Sequence, residues 1–286
     1  MARPYFSVRT GRSSGNVVLD LAMLRDVFRS EIESLEERGY LQEAFGKWCP
    51  DADDGLIPGT LGRDIEVKIL VVLRKRNLWP VRNNYQNYSE DDVFDMIEYI
   101  YDHTSKPLSN AGFFHSYGGC GWHYDKFTRA EAQSEFRATM NEVLRDYAGG
   151  YELTQEGEVA LLLPEGVNQL IETPLPINND TVQTRLTSAI SQYRRRGSTL
   201  NERRIAVREL ADILEHLKPT AVSLLNKKDE SDLFNIINNF GIRHANEKQK
   251  TNYDTNIWLS WMFHFLLATI HACVRLEEKV SSPGKA

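Results

Sequence analysis

Apolar residues recur at steps of three and four along most of this chain, which predicts a mainly α-helical protein. Leu21, Leu24, Val27, Phe28, Ile32 and Leu35 mark a helix within residues 17–45, with Gly39 close to its stop. A second helix runs over Asp64–Leu73. A third opens at Ser89, where Asp92 stands in for the usual acidic partner of a capping box, and buries Val93, Ile97 and Ile100. Phe127–Tyr147 is again helical, closed by Gly149 and Gly150. The intervals Cys49–Gly62 and 105–125 lack this periodicity and are rich in glycine, so they read as loops.

Beyond Gly150 the pattern changes twice. Tyr151–Leu163 has two β-leaning pieces around Gln155-Glu156-Gly157, which fit a small hairpin like the wing of a winged-helix module, or a helix starting at Thr154. The proline-spaced 172–180 marks a domain boundary. After it come four predicted helices, at about 181–196, 202–217, 229–240 and 255–279; with short connections they make a bundle. The organisation expected is a flexible lead-in at 1–16, a mainly helical N-terminal domain at 17–175, a helical bundle at 181–280 and a tail at 281–286.

The last helix is the most apolar. Ile257–Val274 approaches membrane length, but Ser260, His264, Thr269 and His271 interrupt it, so it reads as a buried bundle helix with no membrane role. Ser260, His264, His271 and Arg275 fall on one narrow face. Such a stripe is usually the solvated side of a core helix; less often it lines a polar cleft or a dimer seam.

Charge divides the chain. Residues 1–180 hold 18 Lys+Arg against 29 Asp+Glu, and residues 181–286 hold 16 against 11. A basic half fits a polyanionic partner, or simply an attraction to the acidic half. Tyr193-Arg194-Arg195-Arg196 with Arg203 and Arg204 is the patch suited to a phosphate backbone; the alternative is a solvated or intramolecular charge cluster. Three scattered cysteines, Cys49, Cys120 and Cys273, give no disulfide framework and fit a reducing cytoplasm. The first fifteen residues carry no apolar core of a signal peptide. His115, Cys120 and His123, with Cys49 upstream, have the chemistry of zinc ligands, but their spacing matches no standard finger. A packed loop explains them equally well, and no cofactor is expected. There is no Walker loop, HExxH or dinucleotide fingerprint.

Asn238-Asn239-Phe240-Gly241-Ile242-Arg243-His244, set in a basic helical bundle, resembles the C-terminal domains of the HEPN superfamily. The resemblance covers roughly residues 181–280. Its motif is an arginine, a polar neighbour, and a histidine four to six residues after the arginine. With His244 as the histidine, the arginine position holds Asn238 and the neighbour is Asn239. With Arg243 as the arginine and His244 as the neighbour, the histidine falls at Lys248, Gln249 or Lys250. Both alignments give a degenerate motif.

The resemblance implies an RNA-cleaving or RNA-binding effector of prokaryotic antiphage, abortive-infection or toxin–antitoxin systems, usually a homodimer, with an antitoxin or defence-system partner. Metal-independent cleavage would use His244 as base or acid and Arg243 against phosphate, with Asn239 orienting it. The alternatives are a non-catalytic interaction protein, in which Arg243 pairs with Glu230, Asp232 or Glu247, and a nucleic-acid-binding regulator built on the wing.

Overall fold

The computed structural model describes residues 5–12, 19–109, 111–163, 180–219 and 254–281, together with Val167, Leu170, Ile171, Leu175 and Asn235. The protein is mainly α and divides into two compact units, Met1–Leu161 and Leu162–Ala286. The division falls upstream of the proline-spaced 172–180.

Four longer helices build the first unit: α1 Leu21–Glu37, α2 Ile65–Leu73, α3 Glu90–His103 and α4 Arg129–Leu144. Each buries one stripe. Leu24, Phe28, Ile32 and Leu35 of α1 meet Ile97 and Ile100 of α3 and Phe136, Met140 and Leu144 of α4 in a single core. Polar caps fix where the helices begin. The Asp20 and Asp64 carboxylates accept the amides of Met23 and Val67, and Ser89 with Asp92 closes a full capping box. Replacing Ser89 by alanine should therefore cost about 1 kcal/mol, measured by urea denaturation, because the Asp92 amide loses its side-chain partner.

The intervals read as loops contain short antiparallel pairs. β1 (Lys47–Trp48) pairs with β2 (Leu56–Ile57), β3 (Lys106–Pro107) with β6 (Phe127–Thr128), and β4 (Phe113–His115) with β5 (Gly121–His123). The β3–β6 pair closes the base of an excursion whose tip is the β4–β5 hairpin. β7 (Tyr151–Leu153) and β8 (Val159–Leu161) form the hairpin anticipated near the end of the unit. It is no projecting wing: Leu153 and Val159 are buried in the core, and the Asn141 side chain of α4 bonds both the amide and the carbonyl of Leu153.

In the second unit, α5 (Asp180–Arg194), α6 (Leu200–His216) and α7 (Thr255–Ser281) share one apolar core. Phe263 of α7 lies flat on Tyr193 of α5, ring centroids 3.9 Å apart. The predicted fourth helix, 229–240, lies outside the described residues apart from Asn235. α7 is long and apolar enough to cross a membrane, and half of its most apolar window is buried within the structure.

The polar stripe on α7 is not a solvated face. His271 is only 3% exposed, and burial with the nearby Arg275 pushes its pKa down to about 4. Burial also lowers that of His264. Ser260 shares a side-chain hydrogen bond with Tyr193, and Arg275 alone of the four is exposed.

Candidate functional site

Two hairpins and a turn bring four metal-ligating side chains to one place. Strand alternation puts His115 of β4 and His123 of β5 on the same face, because Phe113 pairs with His123 and His115 with Gly121. Phe114 and Trp122 take the opposite face and meet edge to face. Cys120 ends the short 3-10 turn Tyr117–Gly119 between the strands, where Gly118 and Gly119 adopt positive φ. Cys49 arrives from the other hairpin, just after β1, its amide bonded to the Gly55 carbonyl.

The ligand atoms of Cys49, His115, Cys120 and His123 all lie within 4.8 Å of one another. The Cys49 sulfur is 3.6 Å from His115 Nδ1, and the Cys120 sulfur is 3.0 Å from His123 Nε2. Cys49, Cys120 and His123 are buried, while His115 is half-buried. Outside the cluster, His115 Nε2 lies 3.1 Å from an Asp51 carboxylate oxygen. Phe113 stacks on the His123 ring at 4.8 Å.

The surrounding contacts hold both halves in register. Gln42, which opens the short helical turn Gln42–Phe45 ahead of β1, donates from Nε2 to the Trp122 carbonyl and accepts the Tyr124 amide. One side chain next to the Cys49 hairpin thus brackets His123. Burial and a hydrogen bond with Cys49 raise the pKa of the Cys120 thiol. Burial, with Lys47 and His115 close by, lowers that of His123. Both shifts favour the uncharged forms, thiol at Cys120 and neutral imidazole at His123.

The residues expected to act on RNA divide between described and undescribed positions. Asn238, Asn239, Arg243 and His244 lie outside the described residues. Of the arginine patch, Arg194 is 4% exposed, Arg195 pairs with Glu202 at 2.5 Å, and the Arg203 guanidinium lies over the Tyr193 ring at 5.7 Å. Arg196 and Arg204 are half-buried. Arg194, Arg195 and Arg203 are thus engaged by the bundle itself.

His115, Cys120 and His123 are brought together as their chemistry allowed, and Cys49 joins them. Asp51 is one of three acids in its loop, with Asp53 and Asp54. Its partnership with His115 is not written in local spacing. Comparison of the chain with protein-family models, with curated proteins and with solved structures found no match.

Proposed function

We propose that the C-terminal unit is an RNA-directed bundle of the HEPN kind, four-helical when 229–240 is included, in a cytoplasmic effector of prokaryotic defence. The observation carrying this reading is the position of Arg243 and His244. They sit on the connection between α6 and α7, two helices locked into one apolar core. Asp254, at the end of that connection, accepts the Ile257 amide and starts α7. A connection tethered at both ends by packed helices is the setting in which chemistry-bearing loops operate.

The chemistry assigned to the pair is metal-free cleavage beside the ribose 2′-hydroxyl. An imidazole near neutrality takes that proton or protonates the leaving 5′-oxygen, and a permanently charged guanidinium offsets the charge growing on phosphorus. Asn239 orients the phosphate, and a homodimer sets two such pairs in one cleft.

The test is cleavage of total RNA by the intact chain without added divalent metal, beside Arg243→Ala and His244→Ala. The expected result is cleavage by the parent and at least a hundred-fold loss in each variant, within the range that acid–base catalysis contributes. Cleavage unchanged in both variants overturns the assignment of this site.

A second reading, a non-catalytic interaction bundle, is favoured by the engagement of Arg194, Arg195 and Arg203 within the scaffold. An inert parent that forms stable dimers or captures a partner protein supports that reading over the first. The regulator reading draws no support from the β7–β8 hairpin, whose Leu153 and Val159 pack in the N-terminal core.

A further inference from the structure

We infer that Cys49, His115, Cys120 and His123 bind one zinc ion as a closed Cys2His2 site that fastens the Cys49 hairpin to the β4–β5 hairpin. The inference is independent of the RNA reading and concerns the other unit of the chain.

The distances carry it first. Zinc sits about 2.3 Å from thiolate sulfur and about 2.0 Å from imidazole nitrogen, so a tetrahedral site has donor–donor edges of roughly 3.3–3.8 Å. Two of the pairs here measure 3.6 Å and 3.0 Å, and no edge exceeds 4.8 Å. Four donors therefore surround one point at nearly the required spacing, and small side-chain rotations complete the fit. Two thiols and two imidazoles meeting by packing alone would gain little, since a thiol is a weak hydrogen-bond donor and acceptor.

The ring nitrogens are sorted in the manner a metal requires. His115 turns Nδ1 toward the cluster and gives Nε2 to Asp51, the carboxylate–histidine arrangement that fixes the tautomer and strengthens the ligand. His123 turns Nε2 inward while Phe113 covers its ring. Asp51 is thus a positioning residue, not a ligand. Two thiolates would neutralise the dication, so the site carries no net charge into the protein.

Donor chemistry selects the metal. Sulfur and imidazole nitrogen in a tetrahedral set suit zinc, whereas magnesium and calcium take oxygen ligands in larger shells. Four protein ligands leave no position for water or substrate, which makes the site structural. The fold also supplies a use for it. Phe113, Phe114, Tyr117 and Trp122 are exposed, so the hairpin brings little apolar burial of its own to hold it in place. Its excursion is closed at the base by the short β3–β6 pair. A metal joining residues 66 positions apart replaces the missing core.

The test uses the full chain purified under reducing conditions without chelator, with elemental analysis for zinc. The parent and Cys273→Ala should each hold one zinc per chain, and Cys49→Ser/Cys120→Ser less than a tenth of that. Asp51→Asn should keep the zinc but lose it to a chromophoric chelator at a concentration about ten- to a hundred-fold lower. Because the double variant can fail to fold, the parent is also stripped and reloaded with cobalt. Thiolate-to-cobalt charge transfer with intense tetrahedral d–d bands is the expected spectrum. A folded, reduced parent that holds no zinc and gives only the weak spectrum of octahedral cobalt overturns the inference. So does a double variant that retains zinc at the parent level.

Discussion

Cutting Phe263 back to alanine is expected to destabilise the C-terminal unit by about 3–5 kcal/mol. Phe263 is fully buried and lies 3.9 Å from Tyr193 at an interplanar angle of 9°, in a core it shares with Leu210, Leu214 and Leu266. Removing the ring loses its transfer free energy, leaves a cavity among helices that can close in only partly, and ends the aromatic pairing with Tyr193. Domains of this size are stable by only about 5–15 kcal/mol, so the loss is a large fraction of the whole. Urea denaturation followed by circular dichroism reads it directly. A loss under about 1 kcal/mol would mean that α5 and α7 are not packed through this pair.

The second large effect is expected at Gly112. Its φ is +127°, a conformation that side chains rarely adopt, and a Cβ there would lie 2.0 Å from the His123 carbonyl oxygen. The next nearest atoms are also backbone, at His123 and Tyr124, so no flexible side chain can give way. Gly112→Ala must push β5 outward and carry the His123 imidazole with it. The cost is about 1–3 kcal/mol of backbone strain, with displacement of the strand added. Zinc affinity should fall at least ten-fold in a chelator competition. Gly119→Ala is the matched comparison. Its φ is +74°, yet a Cβ there meets nothing within 4 Å, so only modest strain and an intact site are expected. Equal zinc affinity in the two variants would separate the hairpin's backbone geometry from metal binding.

How much of this could be read in advance depended on whether the signal was local. Helices with long apolar stripes and capping residues were legible: the Ser89–Asp92 box and the Leu24, Phe28, Ile32, Leu35 stripe are both present. The pattern Thr199-x-x-Glu202 carried the same kind of signal. It forms a full capping box, so α6 starts at Leu200 and not at 202. Strands β1 to β6 were not legible, being two or three residues long with no period of two to show, whereas the Gln155-Glu156-Gly157 turn marked β7 and β8. His264 and His271 were misread because helical spacing defines a common face without saying what covers it. At the Cys/His cluster, composition named the donors but not their convergence. The decisive proximity joins Cys49 to His115, and only the folding of two hairpins brings them together.

X-ray absorption at the zinc edge of the intact, reduced protein would read the ligand shell of the proposed site, one metal held by four side chains from two hairpins. The expected result is a four-coordinate shell of two sulfurs at about 2.3 Å and two imidazole nitrogens at about 2.0 Å. A shell made only of oxygen and nitrogen at longer distances, or one containing no sulfur, would contradict it.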